Sequence, residues 1–194
     1  MKPDIVIIGA SWGGLHAVGE ILSALPAGFP VPVLIVQHRG EDGRDMLADL
    51  LDRRGPLPVV EAEDKAEIKP GCIRVAPRGY HVLVEKGHFA LSTEAQVHYS
   101  RPSIDVALES AADAYGAGVV AVILTGANDD GAEGLAEVRR QGGLAIVQDP
   151  GTAERSAMPA AAVLAADPQV VAPLEEIAAV LAGLASRATG EPAT

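Results

Sequence analysis

Only one cysteine, Cys72, occurs in 194 residues. No internal disulfide can form, and a zinc site built from several thiolates is excluded. The lack of disulfides fits a cytoplasmic chain. Aromatic residues are scarce at 3%, so with 48% hydrophobic residues the core must be assembled from Ala, Val, Leu and Ile. Long apolar runs are missing too. The first, Ile5-Val6-Ile7-Ile8, stops at Gly9 and is too short for the apolar segment of a signal peptide. No stretch reaches the ~18 residues of a membrane span. Positive charge is in deficit: 15 Lys and Arg against 26 Asp and Glu leave a net charge of −11. Such a balance argues against a basic face for nucleic acid or for an anionic membrane surface. A soluble, cytoplasmic protein that neither binds nucleic acid nor inserts into a membrane is expected.

What is present is an alternation of short apolar runs with helical periodicity. Continuous apolar runs predict strands at 5–8, 31–36, 119–124 and 144–147, with a shorter one at 170–171. Spacing of apolar residues predicts helices over 13–25, 44–54, 103–115, 132–140, 158–165 and 174–186, with Gly or Pro at several of the stops. Between them, residues 57–91 hold short β-like pieces at 58–61, 72–76, 80–84 and 88–91, the last two joined by a Lys86-Gly87 turn. This stretch reads as a sheet extension with irregular loops. Strands without polar alternation are buried on both faces, which a parallel sheet covered by helices provides. The expectation is one α/β domain over residues 1–187, doubly wound, with a mainly parallel sheet and a small antiparallel hairpin extension. A flexible tail is expected at 188–194. In such sheets ligands sit outside the carboxyl ends of the strands, near the point where strand order reverses.

Three strand ends carry reactive side chains. The first runs into Gly9-Ala10-Ser11-Trp12-Gly13, a G-x-S-x-G pattern that lifts a serine onto a strand-to-helix turn. At a helix N-terminus, unpaired N–H groups favour developing negative charge. The bland alternative is a helix-capping serine between packing glycines. A dinucleotide fingerprint fails because Ser11 stands at its second glycine, and no Gly-Lys-Ser/Thr follows for a phosphate loop. The second strand ends at Gln37-His38-Arg39, where an imidazole can act as general base and then protonate a leaving group; the plain alternative is a polar loop histidine. Of the other histidines, His16 and His88 read as peripheral, whereas His81 and His98 can line a site. The third strand ends at Thr125-Gly126-Ala127-Asn128-Asp129-Asp130. An aspartate there can orient the imidazole, or simply cap the helix that follows it. The chain order Ser, His, Asp departs from the Ser, Asp, His order of the α/β-hydrolases.

Taken together, the motifs resemble the catalytic domain of the chemotaxis receptor methylesterase, CheB. The likeness runs from about Asp4 to Leu184. It rests on Ile8-Gly9-Ala10-Ser11-x-Gly13-Gly14, Val36-Gln37-His38, Ala62-Glu63-Asp64 with Pro70-Gly71 and Ala76-Pro77, Arg101-Pro102-Ser103-x-Asp105-Val106, Ile123-Leu124-Thr125-Gly126 with Asp130-Gly131-Ala132, and Met158-Pro159. Departures are Trp12 for the usual threonine, Ala127-Asn128 for Met-Gly, and Arg39-Gly40 for Met-Pro.

The resemblance implies hydrolysis of glutamyl methyl esters on a chemoreceptor-like protein, releasing methanol, with glutamine deamidation in some members. It places the nucleophile on Ser11, the base on His38 and the acid on Asp130 rather than Asp129, because the family's aspartate directly precedes Gly-Ala. Backbone N–H groups near Trp12 and Ala127 are candidates for the oxyanion, and Arg101 for holding an acidic substrate. No metal or organic cofactor is required. The family's usual member carries a phospho-receiver domain before the catalytic segment, which here begins almost at Met1. A stand-alone homologue or a piece of a longer chain is expected, and if it stands alone its regulation comes from a partner or does not exist. The rival readings are a small-molecule carboxylesterase or amidase, and a non-catalytic domain of the same fold.

Overall fold

A computed structural model describes residues 3–40 and 46–189. Five strands match the apolar runs: β1 (Ile5–Ala10), β2 (Val33–Gln37), and, numbered in chain order, β7 (Val119–Ile123), β8 (Leu144–Gln148) and β9 (Val170–Ala172). The middle region contributes β3 (Val59–Glu61), β4 (Ile73–Val75), β5 (His81–Glu85) and β6 (His88–Ser92). It divides in two. β3 and β4 extend the main sheet, whereas β5 and β6 form a separate antiparallel pair. The main sheet has seven strands in the order β3-β4-β2-β1-β7-β8-β9, and every pairing is parallel.

The helices are α1 (Gly14–Ala24), α2 (Leu47–Asp52), α3 (Ile104–Tyr115), α4 (Ala132–Arg140), α5 (Ala157–Ala166) and α6 (Leu174–Thr189). Helix α2 is shorter than the expected 44–54, whose first two residues lie outside the described ones. Of the tail expected at 188–194, residues 190–194 also lie outside them, and α6 continues to Thr189.

Absence of polar alternation has the expected cause. Along β1, Val6, Ile8 and Ala10 face a core shared with α1 and α6, while Ile5 and Ile7 face one shared with α3, α4 and α5. All five are buried. Each fully buried Val or Ile contributes about 1.5–3 kcal/mol, so a one-residue slip of this strand would gain nothing and still break the ladder. No helix among the described residues is long and apolar enough to cross a membrane.

The strand order fixes where chemistry can occur. From β1 the chain builds outward through β2 to β4 and β3, then returns to lay β7 on the other side of β1. The order therefore reverses between β1 and β7, and the carboxyl ends of β2, β1 and β7 lie side by side. Those ends lead into His38, Ser11 and Asp130.

Candidate active site

Ser11 follows β1 directly. Its amide donates to the Thr125 carbonyl at 3.0 Å, and its own carbonyl accepts from Gly14 N at 2.9 Å and from Gln37 Nε2 at 2.7 Å. The turn closes through Gly13, whose φ of 80° lies in the left-handed region that glycine adopts without strain. Gly14 leaves room for Gln37: a Cβ there would overlap Gln37 Oε1 and come within 2.8 Å of Ala10 Cβ. Gln37 Nε2 also donates to the His38 carbonyl at 3.0 Å. One buried amide thus joins the serine turn to the histidine turn.

Asp130 is completely buried. Its Oδ2 lies 2.6 Å from His38 Nε2 and 2.7 Å from the Ile104 amide; its Oδ1 accepts from Ser103 Oγ at 2.8 Å and from the Asp105 amide at 3.0 Å. The carboxylate therefore sits on the N-terminus of α3, where backbone N–H groups and the helix dipole favour an anion. Burial pushes its carboxyl up, but the bonds from His38, Ile104 and Asp105 outweigh this and hold it below the usual aspartate value. The alternative cap expected from the sequence was on the wrong helix: Asp130 caps α3, not the α4 that follows it. Gly131, with φ 95°, turns the chain from Asp130 into α4, and a Cβ there would strike Ile104 and Ile123.

Because Asp130 takes Nε2 of His38, Nδ1 is the nitrogen left to face a nucleophile. Ser11 and His38 line one cavity of about 680 Å³, with Trp12, Leu15, Met46, Leu47 and Leu50 among its apolar walls. The structure brings the expected serine and histidine to a single crevice and joins the histidine to Asp130. Asp129 is two-thirds exposed and pairs with His98 Nδ1 at 3.1 Å instead.

The remaining candidates are placed differently. Trp12 is 59% exposed. Its Nε1 donates to Glu154 Oε1 at 2.9 Å, and the Arg155 guanidinium lies 5.4 Å from the ring centroid, a cation–π stack. It lines the cavity. Ala127 is exposed and is not among the residues lining the cavity. Arg101 lies in an adjoining pocket and donates from Nη1 to the Thr93 and Glu94 carbonyls at 2.8 and 2.7 Å. His81 is buried between the Ala95 carbonyl and the Ser103 amide, and His16 lines the cavity mouth.

Sequence reasoning missed the residues that hold these groups in place. Gln148 Oε1 accepts the Thr125 amide at 2.9 Å, and Thr125 Oγ1 donates to the Trp12 carbonyl at 2.9 Å. Asp105 Oδ1 accepts the Gly134 amide at 2.7 Å, tying α3 to α4. A signal for Gln148, and for Gln37, was visible. Both β2 and β8 end in Ile-Val-Gln, a polar residue closing an otherwise apolar strand. A buried amide in that position must find partners.

The family model for CheB methylesterase matches residues 6–181. A Leptospira interrogans protein is 45% identical over 179 residues, 92% of this chain and 93% of its own length. A protein-glutamate methylesterase/protein-glutamine glutaminase from Caldanaerobacter subterraneus is 37% identical over 187 residues, 93% of this chain and 51% of its own. The chain thus spans about half the length of that second relative. Among solved structures, the Thermotoga maritima CheB methylesterase catalytic domain superimposes with a TM-score of 0.88 at 34% identity, covering 95% of this chain and all of that one.

Proposed function

The chain belongs to the CheB methylesterase family, and from that premise we propose that it hydrolyses glutamyl methyl esters of a chemoreceptor-like protein through Ser11, His38 and Asp130. The observation that carries this reading is the 2.6 Å contact between His38 Nε2 and a buried Asp130, beside a serine lining the same cavity as the imidazole.

The steps follow from those positions. Asp130 stays ionised and fixes the tautomer with the proton on Nε2. Nδ1 then takes the Ser11 proton as Oγ attacks the ester carbonyl carbon. The imidazolium returns that proton to the departing methoxide, and methanol leaves. Water, deprotonated by the same nitrogen, attacks the glutamyl-serine ester; the acyl–Oγ bond breaks, the imidazolium returns the proton to Ser11 Oγ, and the glutamate is freed. With a glutamine side chain the leaving group is ammonia, and the same sequence performs deamidation. The backbone N–H of Trp12, next after the nucleophile, is the first candidate for the oxyanion. The second candidate, the Ala127 N–H, belongs to a residue that does not line the cavity. No step calls for a metal or an organic cofactor. Action on the cytoplasmic helices of a chemoreceptor would put the enzyme in the cytoplasm.

Methanol release from a methylated chemoreceptor fragment tests the reading. The protein should release methanol and S11A should release none. A protein that left the methylated fragment untouched while cleaving small activated esters would favour the small-molecule esterase. Failure of a fluorophosphonate to label Ser11 would favour the non-catalytic domain.

A further inference from the structure

Next to the catalytic cavity is a second pocket of about 420 Å³, sharing Arg39 and Arg78 with the first and lined further by Tyr99 and Arg101. Its composition runs against that of the chain. Acidic residues outnumber basic ones by 26 to 15 overall, yet among the described lining residues are three arginines and no carboxylate; of these, Arg39 is paired with Glu61 Oε1 at 3.3 Å from outside the pocket. The pocket begins one residue after His38, so a group bound there lies beside the ester under attack.

Arg101 is the most telling of the three. Its Nη1 donates only to two backbone carbonyls, Thr93 and Glu94, and no carboxylate among the described residues pairs with it. Its Nε is buried without a partner. A guanidinium held by neutral acceptors keeps its full charge and is already ordered, so little is lost when it meets an anion. The wall opposite is also fixed. His98 and Tyr99 both have positive φ, 48° and 59°, in a turn closed by the Val97–Ser100 backbone pair. His98 anchors it between Asp105 Oδ2 at 3.4 Å and Asp129 Oδ1 at 3.1 Å. This leaves Tyr99 96% exposed at the pocket's lip. A bulky, strained, exposed aromatic beside an ordered cation is a contact surface for a polypeptide rather than for a small ester.

We propose that this pocket is a subsite for the side-chain carboxylate of an acidic residue next to the methylated glutamate, with Arg101 as its main determinant. The inference rests on the esterase reading above and adds a preference in substrate sequence: acidic neighbours are recognised, neutral ones are not.

The test compares two peptides that each carry one glutamyl methyl ester, flanked on both sides by Glu in one and by Gln in the other. Methanol release should give kcat/KM about tenfold higher for the acidic peptide, as expected for one charge-assisted hydrogen bond. R101Q should bring that ratio near one. R101K, which keeps the charge that orders the Thr93–Glu94 carbonyls, should retain part of it, and R140Q on the far surface of α4 should retain all of it. Equal rates on the two peptides, or an undiminished ratio in R101Q, would overturn the subsite. Affinity of the S11A protein for the unesterified peptides reads the same pocket without turnover. Tighter binding of the Glu-flanked peptide, lost in S11A/R101Q, supports the subsite even if methanol release fails and the esterase reading falls. Equal affinity rejects it even if the esterase reading stands.

Discussion

At the scale of single residues, Asp130 does two jobs with one carboxylate. It receives the imidazole of His38 and it neutralises the N-terminus of α3 through the Ile104 and Asp105 amides. Substituting Asn keeps the shape but offers one oxygen where two were in use, and its amide cannot stabilise an imidazolium. D130N should lower kcat by up to about 10⁴, by analogy with other triads, and should lower Tm as well. D129N, at an exposed residue that contacts His98, should cost far less; if it cost as much, the assignment of the acid would be wrong. Gln37 and Gly14 form a second pair at this scale. G14A puts a methyl group onto Gln37 Oε1 and against Ala10, so it should destabilise by about 1–3 kcal/mol, the usual range for overpacking. Urea titration reads that directly. Ser11, His38 and the Asp129–Asp130 pair were legible because each lies in the turn that follows an apolar run. Choosing Asp130 required the resemblance, since the two carboxylates are adjacent and differ only in which way the backbone turns them. Gln37 and Gln148 went unread although both close a strand, because their partners lie on other segments.

At the scale of elements, the junction of α3 with α4 controls the site's acid. Asp105 caps the first turn of α4 through Gly134, while its own amide holds Asp130. Its Oδ2 makes no hydrogen bond and lies 3.4 Å from His98 Nε2. Burial is the main cause that pushes its carboxyl up to about 6; the Gly134 bond opposes this and the Asp130 charge adds to it. A carboxyl raised in the folded state is protonated there while already ionised in the unfolded chain. Between about pH 4 and 6 the folded state therefore binds more protons, and stability from this group declines as pH rises through that window. D105N removes the titration. The Tm difference, D105N minus parent, should become more favourable to the variant from pH 4.5 to pH 8, whatever constant offset the lost charge brings. A difference that stayed flat or moved the opposite way would show that Asp105 is not buried at this cost. None of this was legible in sequence. The helices themselves were, from apolar spacing and from Ser103 as cap, but their mutual register depends on packing between segments 28 residues apart.

At the scale of the whole molecule, the parallel alternation made an α/β sheet legible, but not its order. Crossing from β3 and β4 back to β7 is a tertiary event that leaves no local pattern, and it is this crossing that places three strand ends together. The same scale separates charge by sign. Glu109, Asp113, Glu133 and Glu137 gather on the α3–α4 surface. Glu109 is pushed above its usual value by partial burial first and by these neighbours next. The crevice, by contrast, is lined by arginines. Salt should therefore act in opposite directions on stability and on recognition. Screening of mutual repulsion in a chain of net charge −11 should raise Tm by roughly 1–4 °C between about 20 and 300 mM NaCl at neutral pH. E109Q should show a smaller rise, because one of the repelling carboxylates is gone. Over the same range the preference for an acidic peptide should shrink, since the attraction it depends on is screened as well. A Tm that fell with salt would mean that attraction, not repulsion, dominates the surface. In that case the acidic face of α3 and α4 would have to be compensated by cations elsewhere on the fold.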